Sequence, residues 1–234
     1  MYIDWTYIYL VLPAVAFAMW ASAKVNSTFR RYSGVHSQSN ITGREAAQMV
    51  LQQNGVFGVN IEQVPGKLSD HYDPRSNTIR LSQAVYHSTS AAAIGVAAHE
   101  AGHAVQYAKG YSPIKVRAAI LPAANIGSGL AMPLILLGIL LSGFGAFYQN
   151  IAYLGVACFG LCTLFQLVTL PVEYNASNRA LEAISNASIF TAQEQEGARK
   201  VLSAAALTYV ASLAVSIMQL LRLILLVNRN NRRD

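Results

Sequence analysis

Two histidines and a glutamate stand in the pattern H-E-x-x-H, as His99, Glu100 and His103. In a helix, residues four apart lie one turn apart on the same face, so both imidazoles can bind one zinc ion. Glu100 can then act as general base toward the zinc-activated water. The pattern therefore predicts a catalytic site with one Zn²⁺ per chain.

The residues around this pattern favour a metal site over a chance match or a solvated polar patch. Ala97, Ala98, Ala104 and Val105 flank the pattern, and histidine or glutamate in such apolar surroundings needs a partner. The setting is also helical. Ser90 can cap the start of the helix, a run of small apolar residues follows, and Gly110 with Pro113 marks the end.

The composition is that of a membrane protein. Hydrophobic residues make up 53% of the 234 residues and charged residues only 12%, about half the charged fraction of a typical soluble domain. The two cysteines, Cys158 and Cys162, lie in one apolar run, so no disulfide framework is indicated. The net charge of +6 comes without a nucleic-acid-binding motif, and we therefore expect a lipid bilayer, and no nucleic acid, as partner.

Four apolar runs are long enough to cross a bilayer, at about residues 5–23, 118–147, 151–172 and 203–227. The first is interpreted as an uncleaved anchor, because Asp4 stands where a signal peptide would carry positive charge. The second and third form a hairpin with a turn at residues 148–150. Gln219 and Arg222 interrupt the last run, which leaves open whether it crosses fully.

These runs divide the chain into five predicted parts. Residues 26–117 are polar, with a capping box at Thr42 and Glu45 and a pair of short strands before the H-E-x-x-H helix. The parts are an anchor at 1–25, a catalytic region at 26–117, a transmembrane hairpin at 118–172, a helix with a polar segment at 173–202, and a transmembrane helix with a basic tail at 203–234. We call the fourth part the third-ligand helix, because it is expected to carry a third zinc ligand beside the two histidines. The expected fold is a mainly α membrane protein with about four transmembrane helices and a small α+β zincin-like catalytic region at the membrane surface.

The third zinc ligand is predicted from topology. A hairpin returns the chain to the side of the membrane that it left, and Glu173 follows the hairpin directly. An unpaired carboxylate at the membrane boundary is costly, and glutamate is an established third ligand of catalytic zinc. Glu173 is therefore preferred over its rival Glu182, which lies in a more polar segment.

With these residues in view, the chain resembles the YugP-like neutral zinc metallopeptidases of bacteria. The resemblance covers nearly the whole chain, and its segments lie at residues 70–74, 95–104, 170–174 and 204–210. The chain is also similar, more distantly, to the HtpX-like membrane proteases, in which the glutamate of an E-x-x-x-D segment completes the zinc site. Glu173 matches that glutamate, and Ser177 stands in place of the aspartate. The resemblance implies a membrane-integrated zinc endopeptidase that acts on protein or peptide substrates.

We accordingly expect His99, His103 and Glu173 to hold zinc and Glu100 to be catalytic, in an enzyme that cleaves membrane or membrane-associated proteins. A residue that stabilises the oxyanion or binds substrate is also expected. The candidates are His71, Tyr174, Arg179 and Tyr209. One alternative is a non-catalytic zinc-binding scaffold or assembly factor, against which Glu100 argues. Another is a metal transporter, which would carry more ionisable residues within its spans.

The distribution of basic residues predicts that the site faces the cytoplasm of a bacterial cell. With four spans, one side of the membrane receives most of the basic residues that flank them: Lys24, Arg30, Arg31, Lys115, Arg117, Arg179, Arg199 and Lys200. The predicted turn at residues 148–150, on the other side, has no charge. The arginines at the carboxyl end oppose this orientation, but they are fewer.

Overall fold

The computed structural model describes residues 4–66 and 69–231, which form long helices and one small sheet. A π-helical segment at Tyr7–Val11 leads directly into the first α-helix. The α-helices are α1 (Leu12–Ser33), α2 (Gly43–Gln53), α3 (Gln83–Tyr86), α4 (Ala91–Ala108), α5 (Ser112–Leu140), α6 (Ala146–Asn186) and α7 (Ala192–Asn231), and the strands are β1 (Asn60–Val64), β2 (His71–Asp73) and β3 (Thr78–Ser82). The expected mainly α fold with a small α+β region is confirmed.

Within the described residues, four helical segments are long and apolar enough to cross a membrane: Tyr7–Ser33, Ser112–Leu140, Ala146–Asn186 and Ala192–Arg229. The last of these carries no break at Gln219 or Arg222. The turn between the second and third was predicted at the wrong place. It lies at residues 141–145, where a short 3₁₀ helix precedes Gly145. Gly145 has a φ of 128°, a conformation that glycine adopts readily, whereas residues 148–150 contain no glycine or proline and continue α6.

The chain forms two compact units. The membrane unit comprises Met1–Ala21, Val116–Leu170 and Thr208–Asp234, as far as these residues are described, and the site unit comprises Ser22–Lys115 and Pro171–Leu207. In the membrane unit, Arg222 donates two hydrogen bonds to Asp4 Oδ2, at 2.6 and 2.9 Å. Its guanidinium also lies 5.2 Å from the centre of the Tyr7 ring. These contacts explain how the apolar part of α7 tolerates an arginine.

The site unit contains a three-stranded sheet in the order β1-β3-β2. β1 pairs parallel to the central strand β3, and β2 pairs antiparallel to it. The sequence predicted only two strands, because the Asp, Asn and Pro residues around β2 are typical of turns. β2 nevertheless pairs with β3, and Asp73 accepts a hydrogen bond from Arg80 at 2.8 Å.

Helix α4 lies in the core of the site unit, where Ile79, Leu81, Ile94 and Ile184 are among the buried residues. Its start is as predicted, since Ser90 Oγ accepts a hydrogen bond from the Ala93 N–H. The helix ends at Ala108, and Gly110 follows with a φ of 65°. Because most of its side chains are small, neighbouring elements approach it closely from several sides.

Candidate metal centre

A close approach of two helices brings the predicted metal ligands together. A Cβ atom on Gly102 of α4 would lie only 2.6 Å from the Ala176 carbonyl oxygen of α6. Only glycine therefore fits between the backbones at this contact. Because His103 follows Gly102 and Glu173 lies about one turn before Ala176, the contact places both ligands at the same interface.

Three ligand atoms converge at this interface. His99 Nε2 lies 3.2 Å from Glu173 Oε2, and His103 Nε2 lies 3.5 Å from the same oxygen. The two imidazole rings are 4.7 Å apart between centroids and inclined at 82°. All three ligand atoms lie within 4.8 Å of one another, so the cluster could hold a metal ion. Two imidazoles and one carboxylate are a donor set of catalytic zinc sites, which keep a further position open.

The cluster is largely shielded from solvent, with Glu173 only 2% exposed and Glu100 and His103 each 9% exposed. Burial by itself lowers the pKa of His103. The hydrogen bond to Glu173 and the negative charge of Glu100 outweigh it, so the pKa of His103 is raised. The negative carboxylates thus favour positive charge at the histidines, which is also the electrostatic condition for binding a divalent cation.

Each histidine is also held at its other ring nitrogen. His99 Nδ1 lies 3.1 Å from Ser177 Oγ, and His103 Nδ1 lies 3.0 Å from Gln106 Oε1. Gln106 in turn donates to the Val172 carbonyl oxygen and to Asn175 Oδ1, at 2.8 and 3.0 Å. Partners of this kind orient ligand histidines in zinc sites. Both Nε2 atoms are consequently directed at Glu173.

Comparison with known proteins agrees with this donor set. Residues 7–228 match the family described as "Putative neutral zinc metallopeptidase". The chain belongs to this family. It is 44% identical over 220 residues to the "Putative membrane protease YugP" of Bacillus subtilis (strain 168), a match covering 94% of this chain and 96% of that protein. No solved structure matches the chain. The expected family and the expected zinc cofactor are thereby confirmed.

Glu182 and the candidates for substrate or oxyanion binding lie outside the ligand cluster. Glu182 is exposed, and His71 is an exposed residue of β2 whose Nδ1 lies 2.8 Å from the Ser69 carbonyl oxygen. Tyr174 is exposed on α6, and Arg179 donates from Nε to Asn175 Oδ1 at 2.8 Å. Tyr209 belongs to the membrane unit. The predicted roles of His71, Tyr174, Arg179 and Tyr209 in substrate or oxyanion binding remain predictions.

Gln106 and Asn175 were not among the site residues predicted from the sequence. Gln106 is fully buried, and it follows His103 by three residues, which places it on the same face of α4. A glutamine at that spacing within an apolar helix was the available signal. Ser177, noted only as the replacement for an aspartate, contacts His99 directly.

Proposed function

We propose that this protein is a membrane-integrated zinc endopeptidase that hydrolyses peptide bonds of membrane or membrane-associated proteins. One observation carries the proposal. The Nε2 atoms of two imidazoles converge on one carboxylate oxygen of Glu173. A further buried carboxylate, that of Glu100, belongs to the residue directly after His99. A purely structural zinc site would fill its fourth position with another ligand and would need no carboxylate beside it.

In this proposal His99, His103 and Glu173 hold the metal. When bound, zinc supplies Lewis acidity, which polarises the scissile carbonyl and makes water more acidic. Glu100 accepts the proton of the attacking water on its carboxylate and passes it to the nitrogen of the leaving amine. The low solvent exposure of Glu100 suits this role, because burial keeps competing water away from the carboxylate that carries the proton.

The test compares the purified wild-type protein with the variant Glu100→Gln. Zinc content is measured by elemental analysis, and turnover is measured on an unfolded protein with and without a chelator. Glu100→Gln should retain zinc and lose turnover by a factor on the order of 10² or more, because it removes the base and leaves the ligands in place. The exposed Glu182→Gln variant is the matched control and should keep both zinc and turnover.

Two other outcomes would contradict the assignment. Loss of zinc from Glu100→Gln would make Glu100 a ligand. A wild-type protein that holds zinc yet cleaves no peptide bond in any unfolded substrate would favour the non-catalytic scaffold.

We also propose that the site faces the cytoplasm. The basic residues that flank the predicted spans are most numerous on the side of the membrane that carries the site, and such residues favour the cytoplasmic side. Single cysteines at Gln38 and Gly143, both exposed, test it in a background without Cys158 and Cys162. In intact cells an impermeant thiol reagent should label Gly143→Cys, in the turn after α5, and leave Gln38→Cys unlabelled. The opposite labelling pattern would overturn the orientation.

A further inference from the structure

Gln106 takes no part in the proposed chemistry, yet it contacts both helices that carry metal ligands. We infer that Gln106 is a positioning residue that keeps the Nδ1 of His103 protonated and its Nε2 free for the metal. Its hydrogen bonds also connect His103 of α4 to Val172 and Asn175 of α6, the helix that carries Glu173. This inference rests on the proposed zinc site and adds the residue that orders it.

The orientation of the Gln106 amide follows from its neighbours. The Val172 carbonyl oxygen, 2.8 Å away, can only accept a hydrogen bond, so the amide nitrogen of Gln106 must face it. The second N–H of the same nitrogen points to Asn175 Oδ1 at 3.0 Å. The amide oxygen is thereby directed at His103 Nδ1, 3.0 Å away.

The protonation of His103 follows in turn. The Gln106 oxygen has no hydrogen to donate, so the bond to His103 requires a proton on Nδ1. The neutral imidazole then carries its lone pair on Nε2, the atom directed at Glu173. A fully buried amide is well suited to this role, because the cost of leaving its N–H groups unpaired holds it in one orientation.

The Asn175 end of the network is also oriented. Arg179 Nε, which can only donate, lies 2.8 Å from Asn175 Oδ1. Obligate donors and acceptors thus set the direction of every hydrogen bond from Arg179 to His103. His99 differs, because the Ser177 hydroxyl can either donate or accept and does not select a tautomer. Of the two partners, Ser177 and Gln106, only Gln106 therefore determines which ring nitrogen of its histidine carries the proton.

The test measures the zinc dissociation constant of the full chain in detergent, by competition with a chromophoric chelator. Gln106→Met keeps the length of the side chain and removes its hydrogen bonds. We expect zinc affinity to fall about 10–100-fold, the usual effect of losing a partner of a ligand histidine. Gln195→Met is the matched control, since Gln195 also donates to a backbone carbonyl, Phe190 O at 3.1 Å, but touches no metal ligand. Its zinc affinity should stay within about twofold of wild type.

A spectroscopic readout separates positioning from a general loss of stability. The visible absorption of bound Co²⁺ reports the geometry of its ligands, so it should change in Gln106→Met and stay unchanged in Gln195→Met. Wild-type zinc affinity and an unchanged cobalt spectrum in Gln106→Met would overturn the inference. A wild-type protein that binds no zinc would refute the proposed function as well, which distinguishes the two failures.

A second measurement on wild-type protein decides the matter if Gln106→Met does not fold. With ¹⁵N-labelled histidine and bound zinc, an imidazole N–H proton should show cross-relaxation to the Gln106 side chain, on the ring nitrogen that is not bound to metal. Absence of an imidazole N–H proton near Gln106 would overturn the inference, because the proposed tautomer requires one.

Discussion

The membrane unit and the site unit use polar side chains in different ways. In the membrane unit, Arg222 of α7 is matched by a carboxylate close to the other end of the chain, Asp4, and by the ring of Tyr7. In the site unit, hydrogen bonds link the metal ligands to Ser177, Gln106 and, beyond Gln106, further groups of α6.

The ion pair of the membrane unit and the hydrogen bonds of the site unit therefore serve different purposes. The ion pair of Arg222 and Asp4 mainly offsets the cost of withdrawing two charges partly from water. The hydrogen bonds around His103 additionally specify direction, because Arg179 Nε can only donate and the Val172 carbonyl oxygen can only accept. Breaking the ion pair of the membrane unit should therefore affect stability, while changes in the hydrogen-bond network around the histidines should affect zinc affinity as well.

The largest expected effect is the loss of zinc in Glu173→Ala. This change removes one of three ligand atoms, so zinc affinity should fall by more than the 10–100-fold typical of residues that only support a ligand. Glu182→Ala should retain zinc, since Glu182 is exposed and outside the cluster. Metal analysis of the two purified variants checks this, and the reverse result would make Glu182 the third ligand.

The next effect comes from two glycines, one in each unit. In Gly102→Ala the new Cβ would meet the Ala176 backbone at 2.6 Å, so we expect a loss of about 1–3 kcal/mol in stability. Zinc affinity should fall too, because α6 carries Glu173. Gly129→Ala in α5 meets nothing within 4 Å and should stabilise by about 0.5–1 kcal/mol. Thermal unfolding in detergent compares them, and equal effects would contradict the close contact of α4 with α6.

A smaller effect is expected when the ion pair of the membrane unit is broken. Asp4→Asn leaves Arg222 without its carboxylate, and because the pair is partly exposed we expect a loss of about 1–3 kcal/mol, below that of fully buried pairs. The double variant Asp4→Asn, Arg222→Met should recover most of it. Glu196→Gln breaks the exposed pair with Lys200 and should cost at most about 1 kcal/mol. Unfolding midpoints that do not separate Asp4→Asn from Glu196→Gln would argue against this account.

The smallest effect concerns pH. The Arg80 guanidinium lowers the pKa of Asp73 in the folded protein, with smaller contributions from the Arg75 N–H and the Ser76 hydroxyl. Because its pKa is lowered in the folded state, ionised Asp73 stabilises the fold at pH values above the ordinary carboxyl pKa near 3.8. This contribution to stability is lost progressively as the pH falls below 3.8. The stability difference between wild type and Asp73→Asn should therefore be constant near neutral pH and shrink in acid. Unfolding curves from pH 7 to pH 3 measure it, and a difference that grows in acid would contradict the assignment.

The long helices and the local signals near the site were predictable because they depend on neighbouring residues. The capping box at Thr42 formed, with the Glu45 N–H bonded to Thr42 Oγ1, and Ser90 caps α4 as expected. Such contacts need only three or four residues in order. The prediction of the turn before α6 was wrong because the uncharged residues 148–150 can continue a helix, whereas Gly145 with its positive φ interrupts it.

The third strand and the polar network depend on residues far apart in the chain. β2 is stabilised by pairing with β3 and by Arg80, which its own turn-like composition does not indicate. Gln106 meets Val172 and Asn175 across more than sixty positions of sequence. Periodicity places Gln106 on a helix face, but it does not say which carbonyl lies opposite.

By itself the sequence determined the class of protein, the H-E-x-x-H pair of histidines and the helix that presents them, because helical spacing puts residues four apart on one face. The position of Glu173 after the predicted hairpin already made it the expected third ligand. The distances from its carboxylate to the two histidines, and the groups that hold their Nδ1 atoms, were decided only by the tertiary structure. The contact of Gly102 with Ala176 sets the distance between α4 and α6. Ligand and hydrogen-bond geometry depends on that distance to within a few tenths of an ångström, a precision that only packing between the two helices provides.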